Sequence, residues 1–136
     1  MKKIMLIGLL CVVFFAGCTA GKKSAEDETG KGKSSYTRIS QEEAKAMMAK
    51  DDGHVIVDVR REDEYTSGHI PGAVLIPNET IGDQKPPELP DPDQIILVYC
   101  RSGNRSAQAA QKLFDLGYTR VYDFGGIMSW TGEIEK

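Results

Sequence analysis

From about residue 40 onward, short segments that are apolar throughout alternate with segments of helical periodicity. Four apolar, β-branched segments are each typical of a buried strand, and they cover residues 54–59, 73–77, 95–99 and 120–124. Strands without polar alternation, separated by helices, indicate a parallel sheet covered on both faces. We therefore predict an α/β fold with a central, mostly parallel sheet of about five short strands flanked by helices.

A capping signal and an apolar face predict the first helix. Ser40 is followed three residues later by Glu43, which is the capping-box spacing. Gly53 is predicted to end this helix. Its apolar face consists of Ala44, Met47 and Met48.

The remaining connections are predicted from periodicity and from breaker residues. Residues 60–68 predict one helical segment, and residues 78–94 predict a short helix followed by an exposed, proline-containing loop. Residues 106–117 predict a longer helix with its final glycine at the C′ position. Residues 125–126 predict a glycine turn, and residues 127–130 a last short helix. The inward positions of the longer helix are Ala109, Ala110, Leu113 and Leu116.

The N-terminal segment has the pattern of an export signal. Two lysines precede an apolar run at residues 4–17, which is shorter than the roughly 20 residues that span a membrane. The run ends in "FAGC", which resembles a bacterial lipobox with Phe15 at the position usually held by leucine. That resemblance implies cleavage before Cys18 and acylation of its thiol and amine with fatty acids such as palmitate. The alternative is an ordinary signal peptide that is cut nearby.

These patterns predict three parts of the chain. Residues 1–17 form the lipoprotein signal peptide, and residues 18–36 form the lipidated cysteine and a polar, flexible tether. Residues 37–136 form the folded domain. Stable membrane anchoring needs two hydrophobic attachments, and several acyl chains on one residue supply them. We therefore expect the domain to be anchored to a bacterial membrane and to face outside the cytoplasm.

The charge balance argues against one class of partner. Removing the predicted signal peptide takes away two lysines and changes the formal net charge from −3 to −5. An acidic chain gives no support for binding nucleic acid or an anionic membrane surface.

Cysteine usage leaves a single thiol in the domain. Cys11 lies in the predicted signal peptide and Cys18 is the predicted lipidation site, so Cys100 has no partner for an internal disulfide. Compartments outside the cytoplasm are often oxidising, and a lone thiol there is unusual. The Cys100 thiol is either buried and unreactive, or it is a reactive group with a functional role.

The segment "CRSGNRS" favours a reactive cysteine over an inert one. Cys100 ends the most apolar strand and precedes a helix, at the sheet edge where ligands of open α/β folds bind. Gly103 permits a tight turn that gathers backbone N–H groups into an anion-binding concavity, to which the helix N-terminus contributes. Arg101 and Arg105 are always charged, so we expect them to favour the thiolate and to attract an oxyanion. The alternative is a buried end-of-strand cysteine beside solvated arginines.

Four motifs in order resemble the single-domain rhodanese-like sulfurtransferases. They are "DVR" at 58–60, "EYTSGHIPGA" at 64–73, "CRSGNRS" at 100–106 and "GGIMSW" at 125–130. The resemblance extends from about residue 39 to residue 130.

The resemblance implies covalent catalysis through a persulfide. Cys100 would take the sulfane sulfur of thiosulfate or a similar anion, release sulfite, and pass the sulfur to cyanide or a cellular thiol. It implies no cofactor and no metal, and we expect a monomer whose only membrane contact is the lipid. The implied substrate-binding residues are Arg101, Ser102, Gly103, Asn104 and Arg105.

The other motifs are predicted to support the loop. We expect an ion pair between Arg60 and Glu64, and we expect Asp58 to brace the loop region, although a catalytic role for Asp58 and Arg60 is the alternative. His69 is predicted to stabilise a turn rather than to act as a base. His54 is the only other histidine and is distant in sequence, so no metal cluster is predicted.

Two rival functions remain. Phosphatases and arsenate reductases of the same fold place five residues between cysteine and arginine, whereas only four separate Cys100 from Arg105. The shorter loop suits one extra sulfur atom better than a tetrahedral oxyanion. The second rival is a non-enzymatic persulfide carrier or a protein-binding module tethered to the membrane.

Overall fold

The computed structural model describes residues 35–136. The predicted signal peptide, Cys18 and almost all of the predicted tether lie outside this part. Within residues 35–136, no helix is long and apolar enough to cross a membrane.

Five parallel strands form one sheet, which confirms the predicted α/β class. The strands are β1 (Thr37–Arg38), β2 (Val55–Asp58), β3 (Val74–Leu75), β4 (Ile95–Cys100) and β5 (Arg120–Gly126), in the spatial order β1-β5-β4-β2-β3. The helices are α1 (Gln41–Met48), α2 (Glu62–Ser67) and α3 (Asn104–Asp115), and single 3-10 turns cover Asn78–Thr80 and Ile127–Ser129.

Helix α1 begins as predicted and ends earlier. The Ser40 hydroxyl accepts a hydrogen bond from the Glu43 N–H at 3.1 Å, and the Glu43 carboxylate accepts one from the Ser40 N–H at 2.7 Å. The helix ends at Met48, so the predicted end at Gly53 was wrong. Directly after the helix the Lys50 N–H donates to the Met47 carbonyl at 3.2 Å, which closes a turn, and further on the Asp52 carboxylate accepts from the His54 N–H at 3.1 Å.

Apolar side chains cover both faces of the sheet. On one face, Ala109, Ala110 and Leu113 of α3 are fully buried and Leu116 packs beside them, as predicted. On the other face, the α1 residues Ala44, Met47 and Met48 pack in a second cluster. Tyr36 packs against the first cluster, so the predicted tether already reaches the core at its last residue.

The glycine pair at 125–126 is not the turn that we predicted. Both glycines belong to β5, and Gly125 adopts a positive φ of 92° where the pairing register with β4 shifts. Gly126 lies opposite Cys100, and a Cβ atom there would collide with the carbonyl group of Arg101. The absent side chain therefore lets β5 lie directly against the residues that follow Cys100.

Candidate functional site

Cys100 lies at the carboxyl end of β4, in the centre of the sheet. Its residue is 1% exposed, and one side belongs to the apolar cluster under α3. The Gly103 N–H donates a hydrogen bond to Sγ across 3.0 Å. Gly103 has a φ of 108°, in the left-handed region that glycine was predicted to allow. The sulfur therefore lies between an apolar wall and the backbone of the following loop.

The loop retains several backbone donors. Helix α3 begins at Asn104, two residues earlier than predicted, and Gly103 caps it without a side chain. The N–H groups of its first turn have no partner within the helix. Those of Arg101 and Ser102 donate to no residue between 35 and 136. Of the predicted concavity of amides, the described residues show one contact with Sγ, the one from the Gly103 N–H.

The two arginines of the loop differ in their surroundings. Arg105 donates to both carboxylate oxygens of Glu64, at 2.7 and 2.9 Å. This contact lowers the pKa of Glu64 to about 2, and the Arg61 N–H, which also donates to Glu64, contributes to the lowering. Arg101 is exposed and forms no ion pair with the residues that the structure describes. The charge of Arg105 is therefore balanced by Glu64, whereas the charge of Arg101 has no such partner among the described residues.

The predicted Arg60–Glu64 pair was wrong. Arg60 pairs with Asp58, with its Nη2 atom 2.7 Å from Oδ2 and its Nε atom 3.0 Å from Oδ1. Asp58 ends β2 and Arg60 follows two residues later, so their side chains meet beneath the sheet edge. Glu64 instead extends from the first turn of α2 to Arg105, 41 residues further along the chain.

Asp58 does brace the segment that carries the cysteine. The Tyr99 hydroxyl donates to Asp58 across 2.7 Å, and Tyr99 immediately precedes Cys100. Burial raises the pKa of Tyr99, so this hydroxyl stays protonated as a donor. The Arg60 Nη2 atom also donates to the Gly68 carbonyl at 2.8 Å. Because Asp58 is fully buried and saturated by these contacts, the geometry favours a structural role over a catalytic one.

His69 contacts the chain on both sides of its ring. Its Nδ1 atom lies 2.9 Å from the Tyr65 carbonyl, and its Nε2 atom lies 3.1 Å from the Glu135 carboxylate. The ring stacks on Tyr65 at a centroid distance of 3.8 Å. These contacts support the turn-stabilising interpretation. The partner Glu135 was not identified from the sequence, because nothing in a polar C-terminal segment marks one carboxylate among several.

A small pocket lies beside the loop. Its volume is about 240 Å³, and Arg38, Ile39, Ser102, Asn104 and Phe124 are among the residues that line it. That volume is below the roughly 300 Å³ at which drug-sized ligand pockets begin, and Cys100 is not among its lining residues.

Two residues near this pocket were missed at the sequence level. Asp123 is fully buried, and it accepts from the Gly125 N–H at 3.0 Å and from Arg38 at 3.3 Å. Arg38 lies on the short strand β1, whose two polar residues gave no strand signal. No group of three or more potential metal ligands occurs within the described part of the chain.

A larger cavity lies elsewhere. It has a volume of about 430 Å³, and Lys45, His54 and Trp130 are among its lining residues. None of its lining residues belongs to the loop at 100–105. His54 precedes β2, whereas Cys100 ends β4, so the two lie toward opposite ends of the parallel strands.

Comparisons with known proteins agree with this geometry. A family model described as "Rhodanese-like domain" matches residues 40–133. The thiosulfate sulfurtransferase GlpE of Pseudomonas entomophila is 39% identical over 98 residues, which cover 71% of this chain and 86% of that protein. The putative sulfur carrier protein YrkF of Bacillus subtilis is 34% identical over 110 residues, which cover 80% of this chain and 58% of YrkF. The chain thus spans little more than half of YrkF. A solved structure described as rhodanese with anions from E. coli superposes with a TM-score of 0.57 at 31% identity, covering 61% of this chain and 98% of that one.

Proposed function

Because this chain belongs to the rhodanese-like domain family and is an enzyme of the thiosulfate sulfurtransferase type, we propose that it transfers sulfane sulfur through a persulfide on Cys100. The donor is thiosulfate or a similar anion, and the acceptor is a thiophile such as cyanide or a thiol. The observation that carries the proposal is the 3.0 Å contact from the Gly103 N–H to Sγ, within a loop where the N–H groups of Arg101 and Ser102 have no acceptor among residues 35–136.

Two displacements complete the proposed cycle. The Cys100 thiolate attacks the outer sulfur of thiosulfate, a new S–S bond forms, and the old S–S bond breaks with its electron pair leaving on sulfite. The acceptor then attacks the terminal sulfur of the persulfide. The second S–S bond breaks, its electron pair returns to Cys100, and cyanide leaves as thiocyanate. The loop N–H groups stabilise the negative charge on the terminal sulfur and on the leaving anion.

The dimensions of the loop support sulfur transfer over phosphate hydrolysis. Four residues separate Cys100 from Arg105, one fewer than in the phosphatases of this fold. Arg105 is already bound by both oxygens of Glu64. A phosphatase mechanism would need that guanidinium for the phosphoryl oxygens.

A persulfide carrier is the second candidate. The 1% exposure of Cys100 favours it, because a sheltered sulfur would hold its cargo and exchange it slowly. The likeness to a putative sulfur carrier protein agrees with this alternative. A protein-binding module that does not use the thiol is the third possibility, and a Cys100→Ala variant that kept its biological role would support it.

Steady-state kinetics distinguish the enzyme from the carrier. Thiocyanate formation from thiosulfate and cyanide should be catalytic, with the parallel double-reciprocal lines of a two-displacement mechanism. The matched control is Cys100→Ser, which should form no thiocyanate. A single stoichiometric transfer without turnover would support the carrier instead.

The site is proposed to work at a membrane outside the cytoplasm. This proposal rests on the "FAGC" sequence that ends at Cys18. Cells fed a labelled palmitate analogue should incorporate it into the protein, and a Cys18→Ser variant should lose the label and leave the membrane fraction. Label that persists in the variant would contradict lipidation at Cys18.

A further inference from the structure

The segment at residues 126–129, where β5 ends, lies directly against the cysteine loop. Gly126 lies opposite Cys100 in the sheet, and the Met128 N–H donates a hydrogen bond to the Arg101 carbonyl at 3.2 Å. A Cβ atom on Gly126 would collide with that carbonyl and would lie 2.7 Å from the Cα atom of Ser102. The peptide group between Arg101 and Ser102 is therefore held on one side by this segment.

The orientation of that peptide group decides where its N–H points. The peptide is trans, so its carbonyl and its N–H point in opposite directions. Because the Arg101 carbonyl faces the Met128 N–H, the Ser102 N–H points away from it, and it has no acceptor among residues 35–136. The next N–H along the chain, that of Gly103, donates to Sγ at 3.0 Å. The Ser102 N–H is therefore a donor open to an anion, one residue before the donor that contacts the sulfur.

Helix α1 supplies the side chain that holds the 126–129 segment. The Nε2 atom of Gln41 donates to the Gly126 carbonyl and to the Ser129 hydroxyl, each at 2.9 Å. The Ser129 hydroxyl in turn donates to the Gly126 carbonyl at 3.2 Å. Gln41 is the first residue of α1, and the capping box of Ser40 and Glu43 fixes the start of that helix. One amide group thus ties the segment to a helix whose first turn is itself held in place.

We propose that Gln41 is a positioning residue for sulfur transfer, acting through the 126–129 segment on the peptide group that carries the Ser102 N–H. This inference rests on the persulfide mechanism proposed above. When Cys100 attacks thiosulfate, a new S–S bond forms and the old one breaks with its electron pair leaving on sulfite. The Ser102 N–H donates to that anion, and a donor that is already fixed needs no reorganisation as the charge develops. Gln41 is uncharged, so its effect is exerted through geometry.

The two half-reactions depend differently on this donor. Persulfide formation releases sulfite, whose negative charge develops beside the loop. Discharge by cyanide releases thiocyanate, and the electron pair of the broken S–S bond returns to the Cys100 sulfur, which the Gly103 N–H contacts. Displacement of the Ser102 N–H should therefore slow persulfide formation without slowing its discharge.

Single-turnover rates measure the two half-reactions separately. Mass spectrometry of the full chain follows the gain of one sulfur atom from thiosulfate and its loss to cyanide. In Gln41→Ala, the rate constant of persulfide formation should fall roughly fivefold, the effect expected when one hydrogen bond to the developing charge is misaligned. The rate constant of discharge should not fall. A general loosening of the fold would slow both steps.

Two further variants separate the lost donor from other effects. In Gln41→Glu the carboxylate has nearly the shape of the amide and suits the first turn of a helix, but it cannot donate to the Gly126 carbonyl. Persulfide formation should therefore fall by at least about fivefold at neutral pH. Gln84→Ala is the matched control, because it removes the same side chain from an exposed position between β3 and β4, and both rate constants should keep their original values.

The possible outcomes distinguish this inference from the proposed function. Equal slowing of both half-reactions in Gln41→Ala would show a general loosening of the loop and would overturn the inference. A rate of persulfide formation in either Gln41 variant that equals that of the unmodified protein would also overturn it. Both results leave the persulfide mechanism intact, because sulfur still reaches Cys100. Absence of a Cys100 persulfide in the unmodified protein would overturn both proposals.

Discussion

The ion pair between Glu64 and Arg105 should make the stability of the domain depend on acid pH. Contact with Arg105 lowers the pKa of Glu64 from 4.5 to about 2, so the folded chain holds this carboxylate ionised more strongly than the unfolded chain does. The stabilisation is therefore fully present above pH 4.5 and is lost as the pH falls toward 2.

The size of the effect follows from the pKa shift and the exposure of the pair. At 1.36 kcal/mol per pKa unit, the shift sets an upper bound of about 3 kcal/mol. Partial exposure of both side chains brings solvent screening, which reduces the expected contribution to about 1–2 kcal/mol. Glu64→Gln should lower the free energy of unfolding by that amount near neutral pH.

Urea unfolding followed by circular dichroism can measure this contribution. Between about pH 5 and about pH 2.5, the unmodified protein should lose about 1–2 kcal/mol more than Glu64→Gln, so the two curves converge in acid. Glu62→Gln is the matched control, because Glu62 is exposed and has no ion pair among the described residues. Parallel curves for Glu64→Gln and the unmodified protein would refute the assignment of the lowered pKa to this pair.

Two other substitutions test the packing beneath the loop. Gly126→Ala should lower the free energy of unfolding by about 1–3 kcal/mol and reduce sulfur transfer, because the added Cβ atom collides with the Arg101 carbonyl. Thermal melts measure the change in stability, and Gly82→Ala is the control, because nothing lies within 4 Å of a Cβ atom at that position. Asp58→Asn should lower stability by about 3–5 kcal/mol, because it leaves the buried guanidinium of Arg60 without its counter-charge. A melting temperature unchanged by either substitution would contradict the packing described for it.

The strands were predictable because their signal is local and strong. Segments such as residues 95–99 are apolar throughout, and in the fold they are buried on both faces of a parallel sheet. Strand β1 gave no such signal, since Thr37–Arg38 is two polar residues whose pairing is decided by Tyr122 and Asp123 far along the chain. A pair of glycines is typical of a turn, so residues 125–126 were predicted to form one. The sequence does not show that the residues after Cys100 lie so close to Gly126 that a side chain has no room there.

The candidate site was predictable as a segment but not as a set of contacts. The position of Cys100 at the end of a strand and the positive φ of Gly103 followed from composition. The partner of Arg60 did not, because both Asp58 and Glu64 lie within reach along the sequence and only the fold decides between them. The burial of Cys100 was also not apparent, since the apolar cluster to which it belongs is assembled from α3, several strands and the loops between them.

Mass spectrometry of the purified protein after brief exposure to thiosulfate shows whether Cys100 takes up sulfur. After reduction and removal of the reductant, a peptide containing residue 100 should gain one sulfur atom, and cyanide should remove it again. Recovery of that peptide with an unmodified thiol, while an added low-molecular-weight thiol trap or a reference sulfurtransferase acquires sulfur under the same conditions, would contradict a persulfide on Cys100.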